Sequence, residues 1–160
     1  MTTPAGTATA KDRKYLAWAV SGAAIFSTCG KANHMAIVVD RYGIVVGTGY
    51  NGPPPGMTHC TDGGCPRVRE QTAQGGSYAN CVAVHAEQGA ILRATYGSLT
   101  DGTLYVNGMP CWECAKSILS TKLARVVFLS GREPVDKASV LDFLGQGGIE
   151  VVEVDANDLA

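Results

Sequence analysis

Two short runs carry the residue types from which a metal-centred hydrolysis can be built: His85-Ala86-Glu87, and Pro110-Cys111-Trp112-Glu113-Cys114 further along the chain. One imidazole and two thiolates supply three zinc ligands. A three-ligand protein set leaves a fourth position for water, which marks a catalytic rather than a structural zinc. Cys111 and Cys114 are three apart just after a proline, which suits the first turn of a helix, so both sulfurs should project from one face of that turn. A helix start also stabilises negative charge and lowers thiolate pKa values. Two thiolates cancel the charge of the ion, so a water beside it is acidified less than beside three imidazoles, and a nearby base is needed. Glu87 is placed for that proton-carrying role. A C-x-x-C alone is more often a structural clip or a redox pair; the proline, the H-A-E and the elements between them together favour catalysis.

For these residues to meet, two helix starts must converge over the ends of strands. The spacing predicts a helix over 11–27 with Leu16, Val20, Ala23 and Ala24 on one side. Two β-branched runs, 35–40 and 44–50, are joined by Arg41-Tyr42-Gly43 and read as a hairpin. Residues 51–78 are rich in Gly and Pro and lack periodicity, and a loop of that length inside a domain is usually functional or pinned. Helices are then expected over 84–96 (ended by Gly97), 111–121 and 134–144, alternating with strands over 103–107, 125–129 and 149–154. The alternation implies an α/β fold, a three-layer α/β/α sandwich with a mixed central sheet of about five strands.

Length and composition bound the rest. The 160 residues suit one domain, with residues 1–10 expected to be flexible. A hydrophobic fraction of 46% with 17% charged residues is globular in character. The net charge is -1 and the 13 Lys and Arg are scattered without a basic stripe, which points away from nucleic acid and towards a small molecule. Residues 15–29 are too short and interrupted to cross a bilayer, and no signal-like apolar core precedes them, so no membrane partner is expected. Six cysteines without an export signal suggest thiolate chemistry in a reducing, cytoplasmic compartment.

The H-x-E…P-C-x-x-C pattern is that of zinc nucleobase deaminases. Together with Gly49-Tyr50-Asn51-Gly52-Pro53-Pro54-Pro55-Gly56, Ser27-Thr28-Cys29, Cys81-x-x-x-His85-Ala-Glu-Gln88 and Cys111-x-x-Cys114-Ala115-Lys116, it makes residues 15–154 resemble the deoxycytidylate deaminases of the cytidine deaminase superfamily. The resemblance implies hydrolysis of deoxycytidine monophosphate to deoxyuridine monophosphate and ammonia, with zinc on His85, Cys111 and Cys114 and Glu87 shuttling the protons. It implies that Asn51 helps hold the sugar and phosphate, that Tyr105 lines the pocket, that Ala86 borders the substrate, and that Lys31 stands near the phosphate. Some members carry a second, structural zinc; Cys29, Cys60 and Cys81 fall on the matching segments, and Cys65 or His59 could complete the set. Relatives assemble into homo-oligomers. Relatives usually read V-G-A where this chain has His34-Met35-Ala36, and x-N-A where it has Gln88-Gly89-Ala90. They usually approach Pro-Cys through a Thr-rich run where it has Asn107-Gly108-Met109. Each departure is expected to border the ligand, with Met35 narrowing the pocket. That keeps a second substrate reading alive, a modified cytosine nucleotide, a nucleoside or a purine base. A non-catalytic zinc domain is the third, and Glu87 argues against it.

Overall fold

Alternation along the strands sorts side chains into two layers. In a computed structural model, which describes residues 6–71, 79–134 and 136–159, the elements are α1 (Ala10–Phe26), β1 (Met35–Val39), β2 (Val45–Tyr50), α2 (Pro66–Arg69), α3 (Ala86–Arg93), β3 (Thr103–Val106), α4 (Trp112–Leu119), β4 (Arg125–Leu129), α5 (Lys137–Gln146) and β5 (Glu150–Val154). They form one five-stranded sheet in the order β2-β1-β3-β4-β5. The β2/β1 and β1/β3 pairs are antiparallel, whereas β3/β4 and β4/β5 are parallel. Ala36, Val38, Leu104, Val106, Val126 and Phe128 enter the layer shared with α3, α4 and α5. Their alternates Ile37, Val39, Tyr105, Val127 and Leu129 enter the layer shared with α1. The expected α/β/α sandwich with a mixed sheet is what the chain forms.

Several boundaries differ from the sequence reading, each for a local reason. The buried face of α1 is Asp12, Leu16, Ala19, Gly22 and Ala23, while Val20 and Ala24 are exposed. The stripe steps by three as well as four residues, and it holds a charge that periodicity alone would have placed outside. The helix expected from residue 84 starts at Ala86, because Val84 is held extended by a two-way backbone pair with Gly52. It ends at Ala94, and the chain turns through a 3-10 segment at Tyr96–Leu99. The long loop contains a 3-10 turn at Cys60–Asp62 and the short α2; its residues 72–78 lie outside the described residues. Of the expected flexible start, residues 1–5 lie outside them too. Thr9 is part of a capping box with Asp12 that fixes the start of α1.

Candidate active site

The site is assembled by a close approach of α3 to the sheet. A Cβ on Gly49 would stand 2.2 Å from the Ala86 carbonyl oxygen and 2.3 Å from the Ala90 nitrogen, so only glycine lets β2 and α3 touch there. Next along the chain, Gly52 and Val84 exchange backbone hydrogen bonds of 2.8 and 3.3 Å. The Gly-Tyr-Asn-Gly run thus fixes both the residue before His85 and the helix after it. His85 is the extended N-cap of α3 and Cys111 that of α4; their carbonyls accept the first helical bonds, from Gly89 and Ala115, each at 2.9 Å. Pro110 therefore lies two residues before α4, just ahead of its N-cap, rather than in its first turn. Glu87 and Cys114 sit in the first turns. Because β3 and β4 run parallel, these helix starts gather at the carboxyl end of the strands, where open α/β sheets bind ligands.

His85 Nδ1 lies 3.4 Å from the Cys111 sulfur and 3.3 Å from the Cys114 sulfur. Metal bonds of about 2.3 Å to sulfur and 2.0–2.1 Å to nitrogen in a tetrahedral arrangement would separate the ligand atoms by about 3.5 Å, so the three residues fit zinc as they stand. Among the described residues this is the His/Cys/Asp/Glu group whose ligand atoms all lie within 4.8 Å of one another. The electrostatics agree. Hydrogen bonding from Cys114, aided by His85, holds the Cys111 thiol down at about 4 despite burial. Its partner Cys114 is pushed up, first by the Cys111 bond and then by burial and Glu87. His85 is raised, first by its bond to Cys111. A thiolate beside an imidazole and a second thiol is an electron-rich pocket that a divalent cation completes. Glu87 is 6% exposed, and burial raises its carboxyl above the usual range.

The other residues singled out by sequence fare differently. Asn51 is buried, but its side chain is engaged within the fold. Its Oδ1 accepts from the Ser27 hydroxyl and from the His34 N–H at 2.8 Å, and its Nδ2 donates to the Ala32 carbonyl at 2.7 Å. It braces the 27–34 segment that carries Lys31, which is half-buried there. Ala86 is wholly buried, packed against β2. Tyr105 is not brought to the cluster: strand parity turns its ring to the α1 layer, where it stacks on Tyr15 at 4.7 Å and donates to Asp12 at 2.9 Å. Parity also turns Met35 away from the site. Its sulfur fills the place a Cβ on Gly22 would take, 2.1 Å away, so this methionine does not narrow the pocket. Gly89 faces Gly49 and Arg93 and helps line a groove of about 460 Å³ on the outer side of α3, with Tyr50 and Leu92. Cys60 is buried, and burial together with Cys65, Cys29 and Cys81 raises its thiol to about 11. The four remaining cysteines therefore lie near one another, more loosely than His85, Cys111 and Cys114 do.

At the rim, sequence reasoning marked His34 and Asn107 only as departures bordering the ligand and missed Asn33 and Arg132. His34 stands against Gly108, where a Cβ would come within 2.8 Å of the His34 ring. Burial, then the charges of Arg132 and His85, bring its pKa down to about 4. Asn107 accepts from the Met35 N–H at 2.8 Å and donates to the Asn33 carbonyl at 3.0 Å. Arg132 donates to that same carbonyl at 3.2 Å. The departures at His34 and Asn107-Gly108 were a signal; Arg132, a lone arginine after a strand, gave none.

Residues 9–130 match the family described as the cytidine and deoxycytidylate deaminase zinc-binding region. The deoxycytidylate deaminase of Mycobacterium phage D29 is 39% identical over 121 residues, 72% of this chain and 91% of that protein. That of Schizosaccharomyces pombe is 35% identical over 103 residues, 64% of this chain; the matched stretch spans only 32% of that longer relative. The dCMP deaminase of cyanophage S-TIM5, solved in complex with dCMP and dUMP, superposes with a TM-score of 0.73 at 26% identity. The match covers 93% of this chain and all of that one.

Proposed function

This chain belongs to the cytidine and deoxycytidylate deaminase family, and from that premise we propose that it hydrolyses deoxycytidine monophosphate to deoxyuridine monophosphate and ammonia. The observation that carries the reading is the triangle of His85, Cys111 and Cys114 at metal-ligand spacing, with the buried Glu87 in the first turn of the helix that His85 caps. Zinc held by those three residues would supply Lewis-acid activation of the attacking water. Glu87 does the proton work. Its carboxylate takes a proton from water and delivers it to the ring nitrogen. The oxygen adds to the amino-bearing ring carbon, and a second proton passed through Glu87 lets the amino group leave as ammonia while the carbonyl forms. A carboxyl whose pKa is raised by burial holds a proton more readily than a free one, which suits it to both taking and returning a proton.

The whole chain serves as one deaminase domain. Asn51 acts by holding the 27–34 segment in place, with Lys31 on it and Ala86 behind the catalytic turn. A second, structural zinc on Cys29, Cys60, Cys81 and Cys65 would offset the burial, and then the mutual repulsion, that raise Cys60. Cys65, 2% exposed, suits the fourth position better than the largely exposed His59. Ile25, Phe26 and Leu92, at 72%, 51% and 78% exposure, are apolar surface that a homo-oligomer would cover. Among the described residues no helix is long and apolar enough to cross a membrane.

The test is ammonia release by zinc-loaded protein across dCMP, dCTP, CMP, deoxycytidine, 5-substituted dCMP and purine bases, with metal counted per chain. Selective turnover of dCMP is expected, with two zinc ions per chain falling to one in Cys60→Ser. Turnover confined to another compound would replace the substrate reading. A wild-type stoichiometry of one would remove the structural zinc.

A further inference from the structure

Resting on that substrate reading, we propose that Arg132 is the residue that recognises the 5′-phosphate, making this site one for a nucleoside monophosphate rather than a nucleoside. Arg132 follows β4 at the carboxyl end of the sheet, just after Gly131, whose φ of 95° lets the chain turn sharply out of the strand. Its backbone carbonyl accepts from the Met109 N–H at 3.2 Å, tying it to the Asn107–Pro110 approach to Cys111. The position is therefore fixed relative to the metal ligands by the main chain.

The guanidinium is aimed by Asn33, whose carbonyl takes one of its five N–H groups at 3.2 Å. The same carbonyl is anchored by Asn107, which also holds the Met35 N–H. The bracket thus joins the start of β1, the end of β3 and the end of β4. Arg132 is exposed, and among the described residues it makes no ion pair. That sets it apart from Arg125, which is paired with Asp12 and Glu150, and from Arg41, paired with Asp101. His34 neighbours Arg132: a Cβ on Gly108 would come within 2.8 Å of the His34 ring and 3.5 Å of the Arg132 Cβ. An arginine with donors to spare, fixed on a rim beside the cluster, matches a phosphate dianion, which takes a guanidinium through paired hydrogen bonds.

The experiment compares wild type, Arg132→Gln and Arg132→Lys on dCMP and on deoxycytidine. It also compares product inhibition by dUMP and by deoxyuridine, so that the answer does not depend on nucleoside turnover. Arg132→Gln should lose roughly 10²-fold in kcat/KM for dCMP, mainly through KM, and weaken dUMP inhibition to the same degree. Deoxyuridine inhibition should stay within twofold, and Arg132→Lys should recover part of the loss. A wild type that prefers dCMP while Arg132→Gln keeps that preference would overturn the role of Arg132 and leave the substrate reading intact. A wild type that binds dUMP no better than deoxyuridine would overturn the substrate reading, and this inference with it.

Discussion

Among the described residues two carboxylates are buried, one on each face of the sheet, and they have opposite fates. Asp12, 2% exposed on the α1 side, accepts from the Thr9 N–H and hydroxyl at 2.8 Å, from Tyr105 at 2.9 Å and from both Arg125 terminal nitrogens at 2.7 and 3.0 Å. Burial pushes its pKa up, but Arg125, Thr9 and Tyr105 outweigh burial and hold it at about 2. Glu87, 6% exposed on the α3 side, lacks such a set of donors, and burial prevails: its pKa rises. Burial alone therefore does not separate a structural carboxylate from a chemical one. The number of hydrogen-bond donors does, because donors fix the charge that proton transfer must change.

The largest effect should come from making Glu87 unable to exchange a proton. Glu87→Gln is expected to lower kcat by about 10³-fold or more, within the range for losing general acid–base catalysis. Its zinc content should be unchanged and its Tm not lowered, since the amide keeps the size and shape of the buried side chain and Glu87 is not among the three metal ligands. Kinetics, metal analysis and calorimetry on one preparation check this. Loss of the metal, or a kcat within tenfold of wild type, would remove Glu87 from the proton path.

The converse substitution should cost stability and spare chemistry. Asp12→Asn leaves the Arg125 guanidinium, whose side chain is 17% exposed, without its closest partner, and about 3 kcal/mol should be lost in denaturant unfolding. Its kcat per folded molecule should stay within twofold. The pH dependence follows from the depressed pKa. A carboxylate that is more acidic folded than unfolded contributes fully above the usual carboxylate range, and that contribution drains as pH falls from about 4 through about 2. The wild type should lose about 2 kcal/mol of stability over that window through this group, and Asp12→Asn should lack that segment of the acid limb. An unaltered acid limb in the variant would mean that Asp12 is not so paired in solution.

The contrast explains what could be read before the fold was known. The candidate metal set was legible because its information is local: two cysteines three residues apart, and an imidazole two residues from a carboxylate. The sheet was legible because β-branched runs alternate with helical spacing. The Asp12–Arg125 pair was not, since its partners are 113 residues apart and no pattern joins them. Met35 and Tyr105 were both drawn to the pocket by resemblance and both face α1. Strand parity groups them with Ile37 and Val127, but which parity faces α3 and α4 depends on how α1 and α3 pack, which no short segment encodes. The rim draws on three separate strand ends: His34 and Asn107 stood out only as departures from the family pattern, and Asn33 and Arg132 were invisible for the same reason.

Tyr105 offers the finest test of the division between the faces. Its hydroxyl is one donor among several on Asp12, so Tyr105→Phe should weaken the network without breaking it. A hydrogen bond to a buried charge suggests a loss of about 1.5 kcal/mol, read from the denaturation midpoint. Since the ring lies on the α1 side, kcat and KM for dCMP should both remain within twofold of wild type. Asp12 should also titrate at a slightly higher pH, because one of the donors holding it down is gone. A KM raised tenfold with stability unchanged would instead bring Tyr105 to the substrate. The assignment of structural and chemical carboxylates to opposite faces would then fail at the residue that should separate them most cleanly.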